Sequence, residues 1–175
     1  MNAISEKLQE PFSEDQIEWR IGQAGKTKDG RIWATCLAYV QSRAIMDRLD
    51  EVFGPFGWRD KYEHLVVDGE HGFLCTIECK AGGIIKDGRD FEAVWISKQD
   101  GAPCTNIEGF KGGISDALKR AAVKLGIGRY LYSLEAGFAQ ILEGREPGAK
   151  KAKTPDGTWF FWRPPALPSW ALPKE

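Results

Sequence analysis

The sequence predicts a domain of the α+β class, in which an antiparallel sheet packs on helices. Three stretches rich in β-forming residues follow one another with short turns between them, which is typical of a meander: Trp58 to Val67, Gly72 to Lys80 and Arg89 to Lys98. Two further segments carry apolar residues at helical spacing. The 175 residues, of which 42% are hydrophobic, suffice for one domain with a buried core.

The N-terminal part predicts a short helix and two strands. Ser5 to Glu10 is a helix candidate that a proline stops. Ile17 to Ile21 alternates apolar and polar residues, as a half-buried strand does. Gly22 to Gly30 is a charged loop with turn residues, and Arg31 to Val40 is the returning strand.

The first long helix precedes the meander. Ser42 is placed to cap it, and Gly54 is placed to end it. Apolar residues repeat between them at helical spacing: Ile45, Leu49, Val52 and Phe53. The turns of the meander are predicted at two short sequences: Asp68-Gly69-Glu70 and Lys86-Asp87-Gly88.

The strongest helix, Lys111 to Ile127, follows a loop, and Gly128 to Gly144 has room for one more short helix. The final stretch, Trp159 to Pro173, holds three tryptophans and four prolines and therefore cannot be helical throughout. We expect residues 1–145 to form the domain. Residues 146–175 are expected to form a mobile linker and a Pro/Trp-rich tail that docks on the domain or on a neighbouring subunit.

The cysteines predict no metal site, and the hydropathy pattern predicts a cytoplasmic protein. Cys75 and Cys79 have a spacing that invites a zinc site, but in a strand they would lie roughly 13 Å apart. Core cysteine is the expected role. No apolar run is long enough to span a membrane, and the N-terminus lacks the apolar core of a signal peptide.

Charge is segregated along a chain whose net charge is −1. Lys111 to Arg129 holds five basic residues and one acid, so a local positive patch is possible on a nearly neutral protein. In this helix, one apolar stripe is formed by Ile114, Leu118, Ala121 and Leu125. At about 100° per residue, Lys119 and Arg120 fall on either side of the opposite face, and Asp116 is spaced to orient both.

Spacing alone is typical of an ordinary solvated face, on which ion pairs contribute only a few tenths of a kcal/mol. Two features favour a face that meets a partner. Val123 falls on the polar side, and small residues that permit close backbone approach are dense: Gly112, Gly113, Ala117, Ala121 and Ala122.

The stretch Lys111 to Gly126 resembles the signature helix of the Rad-fifty-two/Rad-twenty-two single-strand annealing family. That family's pattern is a basic residue, a short gap, Ser/Thr-Asp-x-Leu-Lys-Arg-Ala and a closing glycine. The resemblance runs from about Leu8 to Leu131 and, with the tail, is closest to the short bacterial and phage branch of the DNA-damage-response protein A type. Further matches recur in the family's order: Ile17-Glu-Trp-Arg20, Ala38-Tyr39-Val40, Val52-Phe53-Gly54, Gly57-Trp58 and Lys86-Asp-Gly.

The resemblance implies a β-β-α-β-β-β-α annealing domain that forms a ring or arc of identical subunits. Single-stranded DNA would lie in a positive groove of a nucleoid-associated protein. The reaction would need no ATP, metal or other cofactor. A single-strand-binding protein or an exonuclease is a candidate partner. The family pattern implies DNA-contacting roles for Lys119, Arg120, Arg20, Tyr39, Lys111 and Lys86. Where the family often has a further basic residue this chain has Val123, and Lys124 is the candidate substitute.

Other functional classes stay open at this point. An enzyme, for example a nuclease, is disfavoured because the sequence has only two histidines and no nucleophile elbow or phosphate-binding loop. A three-stranded antiparallel sheet with a basic helix also resembles a double-stranded-RNA-binding module. A structural ring former without annealing activity is the third alternative.

Overall fold

The computed structural model describes residues 3–86, 90–104, 109–134 and 137–174. For residues 83–86 and 90–93 it describes the backbone but not the side chains. Among the described residues, short 3-10 helices lie at Glu14–Gln16, Arg129–Ser133 and Ser169–Ala171. In chain order, the helices and strands are α1 (Ala3–Gln9), β1 (Ile17–Lys26), β2 (Ile32–Val40), α2 (Ser42–Phe53), β3 (Trp58–Val67), β4 (Glu70–Lys86), β5 (Asp90–Pro103), α3 (Gly109–Leu125), β6 (Gly137–Phe138), β7 (Gln140–Leu142), β8 (Lys150–Lys153) and β9 (Trp159–Arg163).

Helices and antiparallel sheets occur together, which confirms the predicted α+β class. The chain divides into two units, of which the first contains residues 1–10 and 40–129 and the second contains 11–39 and 130–175. Within the described ranges, no helix is both long enough and apolar enough to cross a membrane.

The first unit contains the predicted meander, with β4 paired to β3 on one side and to β5 on the other. Alternate residues of β4 are buried, as the period of a strand requires: Phe73, Cys75, Ile77 and Cys79. The core role predicted for Cys75 and Cys79 is confirmed. Burial raises the pKa of each thiol to about 11, so both remain protonated at neutral pH.

Two strands of the meander are longer than the sequence indicates. β4 continues past Lys80 through an irregularity between Lys80 and Gly82, and β5 extends to Pro103. Gly101 and Pro103 are typical turn residues, but their backbones pair with Leu74 and Gly72 across the sheet. Cross-strand pairing of this kind overrides local preference.

The predicted start of α2 needs one correction, whereas its predicted end is confirmed. Gly54 follows α2 with a φ of 76°, in the left-handed region that favours glycine. Ser42 is the first helical residue, and the capping position is occupied by Gln41, without a side-chain cap. The Ser42 hydroxyl instead lies 2.5 Å from the hydroxyl of Ser115 on α3, so a tertiary contact replaces the expected local one.

The second unit contains two three-stranded sheets, ordered β1-β2-β6 and β7-β9-β8. Their shared core consists of Ala34, Cys36, Ala139, Phe160 and Trp162. The region expected to hold another short helix contains one 3-10 turn and then β6 and β7. Lys150–Lys153, expected to belong to a mobile linker, forms β8, and the tail enters the core through alternate residues of β9.

Candidate nucleic-acid interface

Helix α3 packs against β4, β5 and α2. Its small residues permit this close packing, because a Cβ added to Gly113 would lie only 2.9 Å from Cδ2 of Phe73. Of the predicted apolar stripe, Leu118 and Ala121 are buried, and Ile114 and Leu125 are half-buried. The stripe therefore faces the protein interior, as its spacing predicts.

Lys119 lies in a different environment from the one expected of a residue on the open face. Its side chain is only 10% exposed, and its Nζ lies 3.5 Å from Oδ1 of Asp116. Because α3 packs against α2 as well as the sheet, more of its circumference is buried than the apolar stripe indicates. The pairing of Lys119 with Asp116 agrees with the expected spacing of three residues, but the accessible charge of Lys119 is small.

Arg120 and Lys124, hereafter the basic pair, are exposed cations in the second half of α3, with side chains 53% and 49% exposed. Both reach one carboxylate, that of Asp100 on β5. The Arg120 guanidinium lies 3.2 Å from Oδ1, and the Lys124 Nζ lies 3.4 Å from Oδ2. Lys124 also donates a hydrogen bond of 2.7 Å to the carbonyl of Gln99. The sheet therefore holds both side chains in place.

Asp100 is ionised at neutral pH in this arrangement. Partial burial by itself raises its pKa, but the N–H of Gly101 and the charges of Arg120 and Lys124 lower the pKa below its usual value. One negative charge thus faces two positive charges, and the cluster keeps a net charge of +1. Ion pairs at half-exposed positions are weak and exchange readily with other anions.

Arg129 holds the C-terminal end of α3, in a contact that the family motif did not identify. Its guanidinium donates hydrogen bonds of 2.9 Å and 3.1 Å to the carbonyls of Val123 and Lys124 at the end of α3. A cation here is favourable beside the last carbonyls and the negative end of the helix dipole. Basic residues near a helix end are the signal by which sequence reasoning finds such a contact.

The predicted residues of the second unit also lie together. The Arg20 guanidinium stands 5.6 Å from the centre of the Tyr39 ring, within the range of a cation–π contact. Arg20 also pairs with Glu18 at 2.7 Å.

Lys111 is exposed in the first turn of α3. Lys86 ends β4, but its side chain and the turn after it lie outside the described residues.

The described residues contain no group of three or more His, Cys, Asp or Glu side chains placed to hold a metal ion. His64 and His71 contact each other across the β3–β4 hairpin, with 2.9 Å between Nε2 and Nδ1.

The chain is similar to known proteins over its whole length. The family described as Rad52/22 family double-strand break repair protein matches residues 1–148. A single-stranded DNA-binding protein DdrA of Deinococcus deserti is 34% identical over 178 residues, covering 100% of this chain and 73% of the relative. The protein of the same name from Deinococcus radiodurans is 32% identical over 179 residues, covering 100% and 70%. The chain therefore belongs to the Rad52/22 family of double-strand break repair proteins.

Proposed function

We propose that this protein binds single-stranded DNA and anneals complementary strands without ATP, in recombination and repair of DNA. The observation that carries the proposal is the exposed basic pair, Arg120 and Lys124, on the helix whose sequence resembles the annealing signature. The two relatives, named as single-stranded DNA-binding proteins, support the same ligand.

Annealing requires that a strand be held while its base edges stay free to find a complement. Arginine and lysine bind phosphates and do not read sequence, so they hold the backbone and leave the bases available. The protein lowers the repulsion between strands, and base pairing supplies the free energy. No nucleotide hydrolysis and no catalytic side chain are needed for this reaction.

Repetition of subunits would supply the affinity that one subunit lacks. A single copy offers few phosphate contacts and has a net charge of −1, whereas a ring or arc of copies raises the effective concentration of each site. Strand β3 supports such assembly, because it lies at an edge of its sheet and exposes Leu65, Val66 and Val67 by 41%, 56% and 64%. Exposed apolar edge strands tend to pair with another chain.

Asp100→Asn is expected to strengthen single-stranded DNA binding several-fold at low salt. The wild-type carboxylate competes with phosphate for Arg120 and Lys124, and the amide removes that competing charge. The affinity for a labelled oligonucleotide, measured across a salt series, checks this, and the difference should shrink as salt screens the charges. Asp29→Asn, which removes the acid paired with Arg31 on the β1–β2 loop of the second unit, is the matched control. Equal effects of both substitutions would contradict the prediction.

The proposed function is tested by ATP-free annealing of two complementary labelled strands, with particle images of the same sample. We expect the protein to accelerate annealing over the spontaneous rate. Duplex RNA should compete poorly with single-stranded DNA for binding to the protein. An unchanged rate would overturn the proposal. Effective competition by duplex RNA would instead indicate an RNA-binding module, and assemblies without nucleic-acid binding would indicate a structural role.

A further inference from the structure

The β8–β9 hairpin places basic and aromatic side chains on one outward face. The strands pair antiparallel, with Lys151 opposite Phe161 and Lys153 opposite Trp159. Because side chains alternate along a strand, these four lie on the face opposite the core residues of the same strands. We call them the hairpin face.

Trp159 is the centre of the hairpin face and is 57% exposed. The Nζ atoms of Lys151 and Lys153 lie 4.3 Å and 5.4 Å from the centre of its ring. Cation–π attraction accounts for the position of the two ammonium groups. It leaves more than half of the indole in water, which is unfavourable for so large an apolar ring.

The two lysines are also available to an anion. In the part of the chain that the structure describes, neither forms an ion pair with a carboxylate. The acid of the hairpin turn, Asp156, is engaged with Lys26 at 2.8 Å and with the hydroxyl of Thr154. The bond from Lys26 is the largest cause that lowers the pKa of Asp156, so this carboxylate is not the partner of Lys151 or Lys153.

An exposed aromatic ring flanked by two cations is complementary to a nucleotide. Bases stack on aromatic side chains that project from a sheet, and lysines beside the ring bind the phosphates. Phe161, two residues along the strand and half-buried, adds a second ring about 7 Å from the first. Lys153 also lines an open cleft of about 530 Å³ together with Trp33, Gln23 and Thr154.

We propose that the hairpin face is a further contact site for single-stranded DNA, at which Trp159 stacks on a base while Lys151 and Lys153 bind adjacent phosphates. The family match ends at residue 148, whereas β8 begins at Lys150, so the site lies outside the matched region. The proposal rests on the proposed binding of single-stranded DNA, but it assigns a different contact: base stacking here and phosphate binding at the basic pair.

Trp159→Ala in the full chain tests the stacking. We expect the affinity for a short oligothymidine to fall by about 5- to 150-fold, the range that loss of one base–aromatic stack produces. Trp159→Phe should restore most of it. Trp170→Ala, which removes another tail tryptophan that is 53% exposed, should leave affinity unchanged. An oligomer of abasic nucleotides should bind wild type and Trp159→Ala equally, which a merely structural role of Trp159 would not produce.

The combined Lys151→Gln and Lys153→Gln variant tests the phosphate contacts. The slope of log affinity against log salt should become shallower by about 1.4, because each single-strand phosphate contact contributes about 0.7. Wild-type affinity and slope in both the tryptophan and the lysine variants would overturn the site. An effect of Trp159→Ala on RNA but not on DNA would overturn its assignment to DNA.

The outcomes distinguish this site from the proposed function. If charge reversal of the basic pair abolishes binding while Trp159→Ala binds normally, the hairpin proposal fails and the function of the basic pair stands. If Trp159→Ala weakens binding while reversal of the basic pair does not, the hairpin site stands and α3 is not the DNA-binding element.

Discussion

Replacing both Arg120 and Lys124 by glutamate is expected to lower the affinity for single-stranded DNA by at least about 100-fold at physiological salt. Both side chains are about half exposed and are held over Asp100. Reversal would remove the two proposed phosphate contacts and add repulsion beside a carboxylate that is already negative. Affinity for a labelled oligonucleotide and the rate of annealing are the measurements, and both should fall together.

A matched control exists in the second unit. Lys28→Glu with Arg31→Glu changes the net charge by the same amount at exposed positions of the β1–β2 loop. We expect this control to bind nearly as wild type does, because only local charge at the site should matter. Equal losses in both variants would mean that total charge governs binding, and α3 would then not be the interface.

Lys119 is unsuitable for this test, although the family pattern groups it with Arg120. Its side chain is 90% covered and its Nζ lies near Asp116. Shortening it would leave a void and remove a charge that lies beside the partly buried carboxylate of Asp116, and both changes destabilise a protein. Loss of binding in such a variant would not separate a DNA contact from a folding defect. Direct contact of Lys119 with DNA therefore stays a prediction.

Gly57→Ala is expected to destabilise the protein by at least about 3 kcal/mol, measured as the free energy of unfolding in denaturant. A Cβ at this position would overlap the carbonyl oxygen of Phe53, the last residue of α2. The backbone cannot move away freely, because Gly57 donates a bond to Gly54 at 2.9 Å and accepts one from Lys80 at 2.9 Å. The turn from α2 into β3 depends on this close approach.

Gly144→Ala is the control for that substitution. No atom lies within 4 Å of an added Cβ at Gly144, so its effect should stay within about 0.5 kcal/mol. Equal stability of the two variants would show that the turn tolerates a side chain at Gly57. The steric account of the α2–β3 connection would then be wrong.

Periodicity and turn chemistry are local, and the sequence by itself determined what depends on them. The class of the fold, the meander, both long helices and the glycine end of α2 follow from spacing within single segments. The apolar stripe of α3 was likewise readable, since the positions of residues around a helix depend only on the number of residues between them. The family also followed from the order of such local motifs.

Contacts between distant segments were decided only by the tertiary structure. Asp100 meets Arg120 across 20 residues of sequence, and no spacing rule connects a strand residue with a helix residue. The burial of Lys119 depends on which other elements pack against α3. The tail was unreadable for the same reason: Pro and Trp content indicated docking, but only strand pairing assigned Phe160 and Trp162 to the core and Trp159 to the surface. The helical or strand period tells which residues of one segment share a face. Burial and charge pairing depend on which other segments pack against that face, and the period does not contain this information.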